Sequence, residues 1–292
     1  MDPIGIAGTG RVAQALGRLL AERGEPVVAI AGRHLPRTRG AAKFVGSGAK
    51  PVALAELPSR ATHILIAVAD GAIEEVARVL ANSGMARGVV LHTCGTVGTE
   101  VLAPLASAGV SCGSLHPLQT VATPEGGVVA LPGSAFAIDG DGPALEWAAA
   151  IALLLGGEPL RIPAAQRPLY HAAAVMASNY VIALMDAAAM LMNASGTSEK
   201  ASLRAIGPLV RTSVENALNL GPVLALTGPI QRGDAETVAS HLNALAGAPA
   251  SVCGLYRSAG LHALDVAARR GLARDRADSI RRLLEGREGK NG

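Results

Sequence analysis

The chain has 292 residues, half of them hydrophobic and only 2% aromatic, which suits two domains whose cores are packed by alanine, leucine and valine. Its formal net charge of +3 rests mostly on arginine, with lysine only at positions 43, 50, 200 and 290. No basic stripe is interleaved with aromatics, which argues against nucleic-acid binding. Cys94, Cys112 and Cys253 lack metal-type spacing and suit reduced thiols of a cytoplasmic protein.

A strand over 4–7 opens the chain, and with no basic and apolar leader before it no signal peptide is expected. The strand meets a glycine turn, and helix periodicity follows at once through Val12, Leu16, Leu19 and Leu20. The turn has the form G-x-G-x-x-A. Gly8 permits the tight turn, Gly10 lets backbone approach a pyrophosphate, and Ala13 keeps helix and strand close. Thr9, Arg11 and Val12 complete this candidate cofactor loop, where the helix start offers free N–H groups and a positive dipole end to phosphates. The strand over 27–31 runs into Ala31-Gly32-Arg33-His34, where an NAD-binding domain would carry an acid for the ribose hydroxyls. Gly32 and Arg33, with Arg37 and Arg39 behind, instead predict NADP, because a guanidinium binds a 2′-phosphate that a carboxylate repels. The plainer alternative is a set of solvated arginines at a helix start.

A helix is expected around 39–45. The strand over 64–68 brings Ala67 and Val68 to the cofactor edge, followed by Asp70 and a helix over 72–82. Asp70 reads first as the cap of that helix and second as a cofactor contact. The strand over 89–93 ends in Thr93-Cys94-Gly95-Thr96, which is either a plain strand-end loop or a cluster of small groups near nicotinamide and substrate. Thr93 is assigned to the cofactor, and Cys94 and Gly95 to the substrate. A helix over 101–108 and strands over 110–115, 135–138 and 160–162 complete an α/β Rossmann domain with a doubly wound, mainly parallel sheet.

From Pro163 onward strand signals vanish, and 167–193, 198–220, 235–246 and 249–270 read as helices. The expected domains are therefore 1–163, binding the dinucleotide, and 164–292, all-helical, for substrate binding and dimerisation. The alanine-rich stretch 172–192 raises the membrane question. Ser178, Asn179 and Asp186 interrupt it, which favours a buried helix of a soluble bundle and no membrane contact. The arginines between 269 and 282 read as a solvated helical face.

At Ser114-Leu115-His116-Pro117-Leu118-Gln119-Thr120 the His-Pro pair resembles that of prephenate dehydrogenases, where the histidine contacts the substrate hydroxyl. Three further stretches extend the likeness: Tyr170-His171-Ala172-Ala173-Ala174-Val175, Ser178-Asn179-Tyr180 and Thr227-Gly228-Pro229-Ile230-Gln231-Arg232-Gly233-Asp234. With the glycine turn, they make nearly the whole chain similar to the bacterial Rossmann-like family carrying the C-terminal domain of unknown function 2520. That resemblance implies a fold similar to the 6-phosphogluconate dehydrogenase-like reductases, which include pyrroline-carboxylate, ketopantoate and deazaflavin-dependent NADP reductases. It also implies an all-α C-terminal domain of that type, and it names no substrate.

β-Hydroxyacid dehydrogenases of this architecture use a helical lysine as proton donor, but this chain has no lysine between Lys50 and Lys200. A histidine of near-neutral pKa suits the task, and His116 and His171 are the candidates. His171 and Ser178, seven residues apart, share a helical face with Asn179 beside it. The alternatives are that His116 orders the turn before Pro117 and that His171 satisfies backbone groups. His92, Cys94 and His116 match no zinc spacing, so no metal is expected. Asp234 reads as a helix cap, and Arg232 as a candidate clamp for a substrate carboxylate. The resulting expectation is a cytoplasmic, homodimeric, NADP-dependent oxidoreductase acting on a small carbonyl or imine. A 2-keto acid such as ketopantoate is one candidate by analogy alone. The rival is an NADP-binding sensor without turnover. A methyltransferase is disfavoured by the glycine spacing and the missing ribose-binding acid.

Overall fold

A computed structural model describes residues 2–286; the end of the expected helical domain, 287–292, lies outside the described residues. The chain divides into two compact units, Met1–Ser178 and Asn179–Gly292. The first is built on eight strands: β1 (Ile4–Ala7), β2 (Val27–Ala31), β3 (Lys50–Val52), β4 (His63–Ile66), β5 (Val89–His92), β6 (Ser111–Pro117), β7 (Ala135–Gly140) and β8 (Glu158–Arg161). Between and after them run α1 (Arg11–Glu22), α2 (Leu35–Val45), α3 (Leu57–Arg60), α4 (Ile73–Asn82), α5 (Ala103–Ala106), α6 (Pro124–Ala130), α7 (Gly142–Leu154) and α8 (Arg167–Ala177).

The strands form one sheet in the order β3-β2-β1-β4-β5-β6-β7-β8. All neighbours are parallel except β6 and β7, which pair antiparallel. Central strands are mostly apolar because both faces are covered. Ile4 and Ile6 pack with Leu16, Leu19 and Leu20 of α1. On the other side Ala7, Ile64 and Ile66 pack with Ile73, Ala77 and Leu80 of α4. The strand order reverses between β1 and β4, and there a doubly wound sheet opens a crevice at the strands' carboxyl ends.

Several elements of this unit differ from the sequence expectation. The region 101–108 holds a 3-10 turn, Thr99–Leu102, and only the short α5. Strand β3 and helices α3, α6 and α7 have no counterpart among the expected elements. Helix α7 is apolar on nearly all sides, so it shows no helical periodicity to read. The unit boundary also falls after Ser178 rather than at 163. The first turn of α8 is tied into the sheet, since Arg167 donates to the Cys94 carbonyl at 3.2 Å and to Ser114 Oγ.

The second unit comprises α9 (Asn179–Ala194), α10 (Glu199–Leu220), α11 (Pro222–Ala225), α12 (Pro229–Arg232), α13 (Ala235–Ala244), α14 (Ala250–Arg269) and α15 (Arg274–Glu285). Its core gathers Val238, Leu264, Ile280 and Leu284. Asp234 caps α13 as expected, accepting from the Thr237 N–H at 3.0 Å. The arginine run is exposed as expected, with only Arg281 half-buried; at that surface Arg270 donates to the Leu224 and Leu226 carbonyls, and Arg281 pairs with Asp265 at 2.9 Å.

The single helix expected over 167–193 is broken at Ser178, whose φ of −119° and ψ of −72° leave the helical path. The buried bundle helix expected over 172–192 is not found either, since within α9 only Ala189 is buried. The run Ala164–Ala194 is long and apolar enough, by length and composition, to cross a membrane, and only 6% of its most apolar window is buried within the chain. Ile182 in α9 and Leu209 and Leu218 in α10 are likewise exposed.

Candidate functional site

The β1–α1 turn begins with Gly8 at φ +138°, a conformation that side chains rarely adopt. A Cβ there would also collide with the Ala67 carbonyl oxygen of the strand alongside. Gly10 is different. Its φ is −76°, and a Cβ built on it would meet nothing within 4 Å. No internal contact therefore requires this glycine; its bareness keeps space open at the start of α1. No side chain caps α1, so its first N–H groups remain available to a ligand. Gln14 Nε2 donates to the Thr9 carbonyl at 2.9 Å, and Arg11 donates to the Ala122 carbonyl at 3.1 Å, which fixes the turn.

These groups border a cleft of about 550 Å³. One wall holds Gly8, Thr9, Gly10, Arg11 and Val12, and the end of β2 contributes Gly32 and Arg33. Ala67, Val68, Asp70 and Thr93 line the opposite side. All eleven residues assigned to a cofactor from the sequence thus share one cavity. Arg37 and Arg39 are exposed and do not line it. Leu54, Gln119 and Val121 also line it: Gln119 lies in the His-Pro stretch but was not assigned to the cofactor, and no periodic or glycine signal marks the segments that carry Leu54 and Val121. Asp70 is not the cap of α4. It begins a 3-10 turn, Asp70–Ala72, and accepts a hydrogen bond from Thr96 Oγ1 at 3.4 Å.

A second group lies where β5, β6 and α8 meet. His116 Nδ1 and the Tyr170 hydroxyl share a hydrogen bond of 2.8 Å, with their rings edge to face. His171 lies beside them, its ring centroid 6.2 Å from that of His116. Gly95 is buried beneath, and a Cβ there would come within 2.7 Å of the His116 ring. Its bareness makes room for His116, which is a role distinct from the substrate contact expected. Cys94 is also buried, with Sγ 3.0 Å from Thr96 Oγ1. Behind them Arg167 is fully buried, donating to the Cys94 carbonyl and to Ser114 Oγ. Arg167 Nε and His171 Nδ1 are buried polar atoms without a hydrogen-bond partner.

Burial, with His171 and Arg167 adding to it, pushes the His116 imidazole down to about 4. This corrects the expectation of a near-neutral histidine acid: His116 is uncharged at pH 7. The same cause, with Arg167 again contributing, holds His92 at about 4. His92 Nδ1 accepts from the Cys94 N–H at 3.2 Å, so Nε2 carries the proton and donates to the Gly98 carbonyl at 3.0 Å. Both ring nitrogens are thus committed to backbone. Among the described residues no group of three or more His, Cys, Asp or Glu side chains is disposed to hold a metal. Burial raises the Tyr170 phenol above its usual value, and Arg167 opposes this in part.

Of the four residues assigned to catalysis, His116 and His171 come together. Ser178 follows the last residue of α8 and Asn179 opens α9, so neither belongs to the helix that carries His171. Arg232 lies in the second unit, exposed, 3.9 Å from Asp234. Sequence reading missed Arg167. Its spacing to Tyr170 and His171 puts all three on one face of α8, but burial of a lone arginine leaves no sequence mark.

Sheet order, glycine turn and cleft together define the Rossmann class of α/β fold. Within that class, residues 2–117 match the family described as a Rossmann-like domain, and residues 134–263 match the domain of unknown function DUF2520. The chain therefore carries a Rossmann-like domain followed by a DUF2520 domain. No curated protein matches it. Among solved structures it is similar to BF3122 of Bacteroides fragilis, provisionally described as an NADP oxidoreductase. The identity is 24%, the TM-score 0.72, and coverage is 90% of this chain and 98% of that one. A reductive aminase from Aspergillus terreus, in complex with NADPH and ethyl-5-oxohexanoate, matches at 14% identity and TM-score 0.60, covering 98% and 93%. Pyrroline carboxylate reductase of Plasmodium falciparum with NADP bound matches at 13% and 0.57, covering 97% and 99%. At these identities the likeness establishes the fold.

Proposed function

We propose that the chain is an NADP-dependent oxidoreductase moving a hydride between the cofactor and a small carbonyl or imine. One observation carries this reading: the open backbone cradle at Gly10 shares a cleft with Arg33, which stands where an NAD-binding domain has an acid. The cradle leaves room for a pyrophosphate, and the uncapped N–H groups of α1 face negative charge favourably. Arg33 suits a 2′-phosphate. The named neighbours that hold NADPH or NADP on this fold support the same choice.

When bound, the dinucleotide supplies the hydride. The chain's own residues then have to hold the substrate and provide a proton. His116 and Tyr170, hydrogen-bonded and both partly accessible, are the pair we assign to that proton, with His171 beside them. Cys94 and Gly95 shape the floor of this group. Ser178, Asn179 and the Arg232 clamp remain secondary assignments. For Arg232, the clamp requires that Arg232→Lys raise KM for a carboxylate substrate while NADPH affinity stays constant.

We further assign the exposed apolar residues of α9 and α10 to contact with a second copy, giving a homodimer in the cytoplasm. The buried hydrogen bonds of Arg167 tie the start of the apolar run to the sheet, which favours this over a membrane. The deciding experiment follows NADPH absorbance with a panel of aldehydes, ketones, 2-keto acids and imines. Turnover supports the enzyme. Tight NADPH binding with no turnover on any member favours the sensor.

A further inference from the structure

We propose that this site selects a neutral carbonyl substrate over a protonated imine, because the buried Arg167 guanidinium sets a fixed positive charge, without an ion-pair partner, behind His116 and Tyr170. The inference rests on the oxidoreductase reading above and deepens it.

Arg167 is wholly buried, yet both of its hydrogen-bond acceptors, the Cys94 carbonyl and Ser114 Oγ, are neutral. Its Nε has no partner. Among the described residues no carboxylate oxygen lies within 4.0 Å of it. The acids that act on this region are placed elsewhere. Asp70 is exposed at the cleft and bonded to Thr96. Glu100 is exposed and accepts from the Gly98 N–H at 2.9 Å. Asp139, on β7, forms no ion pair with the guanidinium and offsets its charge only in part, from beyond 4.0 Å. The neighbouring His92 and His116 are neutral at pH 7 and offer no negative charge. A guanidinium remains protonated in such surroundings. Ser114 and His116 point to the same side of β6, and Arg167 and Tyr170 share a face of α8. The cation therefore stands one layer behind the pair that meets the substrate.

Hydride addition to a carbonyl forms a C–H bond and moves the C=O π pair onto oxygen. That oxygen takes one proton from the Tyr170–His116 pair. The two electrons come from the reduced dinucleotide. Negative charge grows on the oxygen as the reaction proceeds, and a fixed cation in a water-poor site favours that growth. A protonated imine begins positive and loses its charge on reduction. The same cation opposes its binding and gives its transition state no comparable help.

The test uses the full chain with NADPH. One arm supplies small aldehydes, ketones and 2-keto acids, and the other supplies cyclic imines that are protonated at neutral pH. NADPH affinity is measured separately by fluorescence. The best carbonyl is expected to exceed the best imine in kcat/KM by at least about tenfold. Arg167→Met should erode that preference and move the His116 NMR titration midpoint upward, whereas Arg167→Lys should keep the preference. An imine as the best substrate overturns the inference and leaves the oxidoreductase reading standing. So does an unchanged preference in a folded Arg167→Met. NADPH binding without consumption in either arm overturns both.

Discussion

The Tyr170 hydroxyl lies 2.8 Å from His116 Nδ1, joining two residues 54 positions apart. A strand end and a helix start are brought to hydrogen-bond distance, and among the described residues neither side chain makes another hydrogen bond. Removing the hydroxyl tests what the pair does. In Tyr170→Phe the ring and its packing remain, so the fold should lose only about 0.5–1.5 kcal/mol. If the pair supplies the proton, kcat should fall by about 10²-fold or more with KM little changed. Steady-state kinetics on any substrate that the panel yields reads this directly.

Stability should depend on pH through two histidines. Burial holds His92 and His116 at about 4, against 6.5 for an unburied imidazole. Between those values the unfolded chain binds protons that the folded chain refuses. Stability is therefore fully present above pH 6.5 and declines as the pH falls toward 4. The urea midpoint should drop across that window, and His92→Gln should flatten part of the slope. A midpoint that stays level from pH 7 to 4 would contradict the buried, neutral assignment.

The two turn glycines should separate cleanly. Gly8→Ala forces a side chain onto φ +138° and against the Ala67 carbonyl, so a loss of about 1–3 kcal/mol or more is expected, read as a lower melting temperature. Gly10→Ala meets nothing in the protein, and its stability should stay within about 0.5 kcal/mol of the parent. Its dinucleotide affinity should nonetheless fall, because the added methyl occupies the space kept open for the ligand. Equal melting temperatures for the two variants would refute this division of roles.

Arg33→Ala should weaken NADPH by about 10- to 100-fold, the worth of a charge-assisted hydrogen bond, and leave NADH nearly unchanged. Fluorescence titration with both cofactors measures the ratio. A wild-type preference for NADH would remove the case for Arg33 altogether.

Legibility followed the range of the forces involved. The cofactor edge was readable because each of its parts is local: Gly8 and Gly10 obey turn sterics, Ala31-Gly32-Arg33 ends one strand, and Ala67, Val68 and Thr93 end others. Strand ends in a doubly wound sheet converge by topology, so naming them separately was enough to gather them. Helix α7 escaped because a segment apolar on nearly every side has no period. The break at Ser178 escaped because no glycine or proline marks it.

By itself, then, the sequence determined seven of the eight strands, the glycine cradle and the absence of an acid after β2, since each of these is written in contiguous residues. The tertiary structure alone decided the state of His116. Its pKa near 4 depends on burial and on Arg167 and His171, which come from a helix some fifty residues away. Arg167 shows why: a guanidinium in a sequence looks solvated by default. Only the packing of α8 against β5 and β6 strips away its water and sets its charge behind the histidines.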